Sequence, residues 1–298
     1  ISVITPSYNQ AEFIEETIRS VLLQQYPNLE YIIIDGGSSD GSVEIIKKYE
    51  QWIDYWVSEQ DEGQTDAINK GLNRASGEYI IYLNSDDIFF PGALHKVAEV
   101  ALKHPDAPWL AGYTQVFGEG ENYNVKKPDT EEIDKPEHWI TYRVHVPQHS
   151  SFVKRSIYEE VGSYDESLNF VFDLDFGLRL GLKGLKPLVI DHILAGFRIH
   201  GKSKTESSRL PFLNEQLGLL EKYKEDISED AARKAHRFLK QHIAAHTLFD
   251  SLNTAKNNPL PVIQAACRSI WIDAAIIKQR YFWGALKQAI WQENEYGN

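Results

Sequence analysis

The chain has 298 residues, 42% of them hydrophobic and 12% aromatic, which is enough for one large core or one domain plus an appendage. Its formal net charge of −12 argues against nucleic acid as a partner. A single cysteine, Cys267, excludes an internal disulfide and fits a reducing compartment, and neither a membrane-length apolar run nor a signal peptide is visible. The chain opens at Ile1 inside a strand pattern and contains no Met, so residues are expected to precede it.

Ile1 to Thr5 reads as a short strand stopped by Pro6, and Ser7-Tyr8-Asn9-Gln10 reads as a loop. Asn9 is placed to cap a helix whose Ile14, Ile18, Val21 and Leu22 share one face. Leu29 to Ile34 is a buried strand, ending in Asp35-Gly36-Gly37-Ser38-Ser39-Asp40-Gly41, where glycines let the backbone turn tightly beside a ligand. Val43 to Tyr49 reads as helix, Tyr55 to Ser58 as strand and Thr65 to Ala75 as helix, with Asp66, Asn69 and Asn73 along a second face. Tyr79 to Leu83 is a strand buried on both faces, and it runs into Asn84-Ser85-Asp86-Asp87.

Adjacent carboxylates after a buried strand are costly unless a positive group sits beside them; the plain alternative is a solvated turn. In an open parallel sheet, however, ligands sit beyond the carboxyl ends of the strands. That rule brings Tyr8, Asp35 and Asp86/Asp87 to one crevice. Neither a G-x-G-x-x-G loop nor a Walker lysine motif is present, which disfavours a dinucleotide oxidoreductase and a P-loop ATPase.

Four stretches in order, Ser2-Val-Ile-Thr-Pro-Ser-Tyr-Asn9, Ile34-Asp-Gly-Gly-Ser-Ser-Asp-Gly41, Gly63-Gln-Thr-Asp-Ala-Ile-Asn-Lys-Gly71 and Leu83-Asn-Ser-Asp-Asp87, resemble the successive signatures of family 2 glycosyltransferases with the GT-A fold. The resemblance covers about residues 1–205. It implies an α/β fold, a Rossmann-like, mostly parallel sheet flanked by helices, with a C-terminal helical appendage. It also implies a nucleotide-diphospho-sugar donor, most often UDP-linked, and Mn²⁺ or Mg²⁺. By that resemblance Pro6, Ser7, Tyr8, Asp35, Asp66, Asn69, Lys70, Asn84, Ser85, Asp86 and Arg198 would bind the donor, with Asp35 accepting from the base and Tyr8 lying against it. Asp86, Asp87 and His200 would hold the metal. A dication reconciles an acidic protein with an acidic diphosphate through hard oxygen ligands. Asn84 departs from the family's usual leading Asp and carries no charge, so the metal is placed on Asp86 and Asp87 with their division of labour open.

Further along, Pro91 to Lys103 reads as helix, Trp109 to Phe117 as strand, and Tyr123 to Lys126 as its hairpin partner. Thr130 to Trp139 is charged and Pro-interrupted, a loop near the site entrance. His149 precedes a short strand, Ser150 to Val153, and is read either as an acceptor or phosphate contact or as a loop histidine. A helix from Ser156 to Val161 follows. In Phe172 to Leu180, Asp175 and Arg179 are spaced for a structural ion pair, and Asp173 stands at a helix start, where a cap is the plain alternative. The resemblance makes Asp173 the general base. Leu188 to Ile190 and Leu194 to Ile199 read as strands, and Gly201 to Arg209 as a basic lid loop with Lys202 and Lys204.

From Pro211 onward the pattern is helical. The expected organisation is a catalytic domain over 1–210, with a donor half to about 105 and an acceptor half after it, and a helical region over 211–298. Arg268 to Trp291 is basic and aromatic, suited to core packing, a dimer contact or a membrane surface where a lipid-linked saccharide acceptor would be met. The reading is therefore an inverting, metal-dependent glycosyltransferase of cell-surface glycan synthesis acting on a carbohydrate or lipid-linked acceptor, cytoplasmic or peripheral at the inner membrane face. The alternatives are a non-catalytic nucleotide-sugar binder and a nucleotidyltransferase. The latter normally needs a Gly-rich basic loop where Pro6-Ser7-Tyr8-Asn9 stands.

Overall fold

The computed structural model describes residues 1–118, 124–201, 203–204, 209–254, 259–272, 277–278 and 282–283. The chain divides into two compact units, Ile1–Ser203 and Lys204–Asn298.

The first unit is built on one sheet. Its strands are β1 (Ser2–Ser7), β2 (Glu30–Asp35), β3 (Tyr55–Ser58), β4 (Tyr79–Tyr82), β5 (Ile88–Phe89), β6 (Trp109–Gly118), β7 (Val125–Lys126), β8 (Ser151–Lys154) and β9 (Leu188–Ile199). Their order is β3-β2-β1-β4-β8-β6-β9-β5, with β7 on β6. β1 to β4 pair in parallel, as strand–helix alternation requires. The expectation of a mostly parallel sheet needs correction, because β4 and β6 both pair antiparallel with β8, and β5 pairs antiparallel with β9. The sheet is mixed. Beyond β4 the regular crossover helices stop, and the β6–β7 hairpin makes its two strands antiparallel by necessity. β9 is one continuous strand where the polar residues Asp191 and His192 suggested a break, and β5 is too short to have been seen.

Helix α1 (Ile14–Leu22) buries Ile14, Ile18 and Val21 in the sheet's core with Val3, Tyr31 and Ile81. Asn9 does not cap it. Asn9 adopts a left-handed φ of 52°, and its Oδ1 accepts from the Ser39 amide at 3.0 Å, tying the loop after β1 to the loop after β2. Helix α2 (Ser42–Tyr49) follows that second loop. Helix α3 (Gln64–Leu72) lies against β1 so closely that a Cβ on Gly71 would stand 2.4 Å from Ile4. This contact sets where the start of α3 meets the strand ends. Helix α4 (Ala93–Lys103) covers β9. The stretch read as a loop over 130–139 ends instead in a short helix, α5 (Pro136–Ile140), because Trp139 and Ile140 are buried. Helices α6 (Arg155–Val161) and α7 (Phe172–Leu182) complete the unit.

The second unit contains helices Arg209–Lys222, Glu229–Thr254 and Pro259–Ile272. Ala244, Leu248, Val262 and Phe282 form its own apolar cluster. Among the described residues no helix is long and apolar enough to cross a membrane. Much of the Arg268 to Trp291 segment, including Tyr281 and Trp291, lies outside the described residues, as do Lys202 and 205–208 of the expected lid.

Candidate active site

The parallel pairing places Ser7 directly beside Asp35 at the carboxyl ends of β1 and β2. Asp35 is fully buried. Its carboxylate accepts from the Gly37 amide at 3.1 Å, the Ser38 amide at 2.8 Å, the Ser38 hydroxyl at 2.5 Å and the Ser58 hydroxyl at 2.7 Å. It therefore folds the glycine loop, and a nucleotide base would add to a carboxylate already well supplied with donors. Asp61 is a neighbouring carboxylate that sequence reasoning missed. It sits so close to Gly36 that a Cβ there would be 2.7 Å from its Oδ2, and burial raises its pKa, with help from the charges of Asp66 and Asp35. Tyr8 is 62% exposed, open to stacking, whereas the buried Ser7 hydroxyl has no hydrogen-bond partner among the described residues.

Asp66 and Lys70 pair at 3.1 Å one turn apart on α3. Asn69, expected to meet the donor, is buried and points elsewhere. Its amide nitrogen donates to Tyr164 O at 2.9 Å and Glu166 Oε1 at 2.8 Å, and its Oδ1 accepts from the Tyr164 amide, so it ties α3 to the 164–166 turn.

Beyond β4 the two adjacent aspartates part company. Asp86 is 19% exposed at the side chain, and its Oδ2 lies 3.0 Å from His200 Nε2. Asp87 is fully buried. One oxygen accepts from the Arg198 amide at 2.9 Å, and the other accepts from Asn84 Nδ2 at 3.1 Å and lies 3.5 Å from His149 Nε2. Burial and the Asp86 charge push its carboxyl well above the usual range. The metal role expected of Asp87 thus meets a carboxylate engaged on both oxygens. Arg198 is similarly committed. It donates to the Asp86 carbonyl at 2.8 Å and Glu16 at 2.6 Å and lies over the Phe117 ring at 4.5 Å, so it clamps this loop to β9 and α1. Ser85 is buried beneath.

Asp173 lies in the first turn of α7, and its Oδ1 accepts from the Leu174 amide at 2.8 Å. It lines a pocket with Tyr82, Trp139, Tyr142, His145 and Gln148. Asp175 is buried on Arg179 at 2.9 Å, the structural pair that the spacing suggested. Burial raises the Tyr82 pKa well above its usual range, and the charges of Asp173 and Asp87 add to the rise. His145 lines the same pocket, and His149 stands 3.5 Å from Asp87. Burial lowers the His145 pKa to about 4 and the His149 pKa to about 3, in both cases reinforced by the Lys126 charge. Sequence reasoning gave Lys126 and His145 no role; only the β6–β7 pairing could have pointed to the lysine.

Among the described residues no group of three or more His, Cys, Asp or Glu side chains is gathered as a ready metal cage. The Asp86–His200 pair does supply one hard oxygen, on a partly exposed carboxylate, and one imidazole nitrogen, on a buried ring, a donor set that suits a dication completed by ligand phosphate and water.

The profile described as "Glycosyl transferase family 2" matches residues 2–162. An uncharacterized glycosyltransferase of Mycobacterium tuberculosis is 32% identical over 205 residues, 67% of this chain and 76% of its own length. The putative teichuronic acid biosynthesis glycosyltransferase TuaG of Bacillus subtilis is 40% identical over 124 residues, 40% of this chain and 49% of its own. Among solved structures, S. aureus TarS in complex with UDP-GlcNAc superposes with a TM-score of 0.60 at 15% identity, covering 99% of this chain and 91% of that one. The mannosyltransferase PcManGT from Pyrobaculum calidifontis, in complex with GDP-Man and Mn²⁺, gives 0.58 at 17% identity over 98% and 87%.

Proposed function

Because this chain belongs to glycosyl transferase family 2, we propose that it transfers a sugar from a nucleotide-diphospho-sugar, UDP-linked in the first instance, to an acceptor hydroxyl with inversion at the anomeric carbon. It is a glycosyltransferase of GT-A fold. The observations that carry the finer reading are the Asp86–His200 contact at 3.0 Å just beyond β4 and the pocket in which Asp173 of α7 stands with Tyr82 of β4.

In this reading unit Ile1–Ser203 is catalytic. Tyr8, Ser7 and Pro6 face the nucleoside, with Asp35 and Asp61 shaping the base pocket and Asp66 and Lys70 at its edge. Asp86 and His200 would hold Mn²⁺ or Mg²⁺, whose chemistry is to neutralise the diphosphate. Asn84, Asp87 and Arg198 position Asp86. Asp173 accepts the proton from the acceptor hydroxyl as that oxygen bonds to the anomeric carbon. The bond from that carbon to the β-phosphate oxygen breaks, and its electron pair leaves with the nucleoside diphosphate. A one-step displacement from the opposite face inverts the centre.

The name of the Bacillus relative supports an acceptor among bacterial cell-surface glycans, as a carbohydrate or lipid-linked saccharide. The lone cysteine supports a cytoplasmic site of action, with the C-terminal helices offering a peripheral membrane or dimer contact. The test is hydrolysis of UDP- and GDP-sugars without acceptor, with and without Mn²⁺. Slow metal-dependent release of the nucleoside diphosphate, lost in Asp173→Asn, supports the reading. Donor binding with no turnover on any acceptor would make the chain a binding subunit.

A further inference from the structure

The hairpin strand β7 places Lys126 opposite Thr114 of β6, and its ammonium stands 4.9 Å from the Phe197 ring centroid. That ring lies 4.5 Å from the His149 ring, whose Nε2 is 3.5 Å from Asp87. Lys126 is half-buried, and among the described residues it makes no ion pair and no hydrogen bond. Asp87 and Asp173 reach it only through space. Two more nitrogens in the same neighbourhood, His145 Nε2 and His149 Nδ1, are buried without a hydrogen-bond partner among the described residues. His145 lines the pocket that holds Asp173.

A partly desolvated ammonium without a contacting anion is costly, and so is a buried imidazole nitrogen without a partner. Natural structures keep such groups where a ligand completes them. Here the ligand is placed by what flanks the lysine. The Phe197 and His149 rings link it to Asp87, next to the Asp86 edge proposed above for the diphosphate, and His145 shares a pocket with Asp173, proposed for the acceptor hydroxyl. In that reading the bond to be broken and the sugar being moved belong between the diphosphate and the acceptor hydroxyl.

We propose that Lys126, seconded by His145 Nε2, binds an anionic oxygen group of the donor substrate at the reacting centre: a β-phosphate oxygen of the leaving diphosphate or a carboxylate carried by the transferred sugar. The inference rests on the donor reading above. It adds a contact outside the four motif stretches and makes Lys126 a specificity-determining residue. A phosphate contact stabilises the leaving group in every donor, whereas a carboxylate contact selects a uronic acid sugar.

The experiment is calorimetric titration of wild type, Lys126→Met and Lys126→Arg with UDP, GDP, UDP-glucose and UDP-glucuronate in the presence of Mn²⁺. If the group is phosphate, Lys126→Met binds the nucleoside diphosphate at least about tenfold more weakly and Lys126→Arg restores most of the loss. If it is carboxylate, the diphosphate alone is unaffected and only the glucuronate donor loses affinity. Affinities within twofold of wild type for all four ligands overturn the proposal. Because Lys126→Met can disturb folding, the wild type is also labelled with an amine-reactive reagent and mapped by mass spectrometry. Protection of Lys126 by the bound ligand supports the contact, and equal labelling with and without ligand overturns it. If wild type binds no nucleotide at all, the donor reading itself fails and this inference falls with it.

Discussion

The Asp86 carboxylate and the His200 imidazole lie 3.0 Å apart, although 114 residues separate them in the chain. β9 returns past the end of β4 to make this contact, and Arg198, two residues before His200, fixes the loop by donating to the Asp86 carbonyl. A pair so placed can take a dication between protein and phosphate. Asp86→Asn and His200→Ala should each lower metal-dependent donor turnover about 100-fold or more. The check is turnover against Mn²⁺ concentration, and unchanged metal dependence in both variants would remove the pair from the metal site.

Asp173 is the proposed base. Asp173→Asn should lower kcat by about 10³-fold while the donor Kd stays within a factor of about two. Single-turnover transfer and calorimetry separate the two quantities. A large loss of donor affinity with kcat preserved would make Asp173 a binding or structural residue.

Asp35 accepts from three donors of the loop after β2 and from the Ser58 hydroxyl at the end of β3. Asp35→Ala leaves those donors unpaired and should cost about 3 kcal/mol of stability. Nucleotide binding should fall along with it. Denaturant melts of the two proteins give the difference, and a loss below about 1 kcal/mol would mean that the loop holds its shape without the carboxylate.

The buried histidines make stability depend on pH. Folding lowers His145 from 6.5 to about 4 and His149 from 6.5 to about 3. Both pKa values are depressed, so the unfolded chain takes up these protons first. The stability they contribute is complete above pH 6.5 and is lost as pH falls, toward 4 for His145 and toward 3 for His149. Asp87 works in the opposite sense, since its raised pKa favours the protonated folded form at low pH. Melting temperatures of wild type and of His145→Gln with His149→Gln should differ in their drop from pH 7 to pH 5, with the wild type falling further. Equal drops would contradict the burial of neutral imidazoles.

What the sequence made legible was the parallel arrangement of β1 to β4. Its strands are apolar runs that end in Asp35 and Asp86, and parallel pairing carries those ends to one edge whatever the details. The individual tasks were less legible. Asn69 looks like a donor ligand by its place in the motif, yet it is consumed by the 164–166 turn, a contact 95 residues away that no local pattern records. Asp86 and Asp87 are neighbours in sequence, but the strand-to-turn geometry buries one and leaves the other accessible. Past β4, hairpins and an inserted antiparallel strand replace regular alternation, so Lys126, His145 and β5 came into view only through long-range pairing.

The most direct test of the account is calorimetric titration of UDP and GDP into wild type and into Asp86→Asn, with Mn²⁺ and with chelator. One nucleotide should bind wild type with Mn²⁺, and at least about tenfold more weakly both in chelator and in the variant. Binding of neither nucleotide, or binding indifferent to both metal and Asp86, would contradict a metal-assisted diphosphate site at this edge of the sheet.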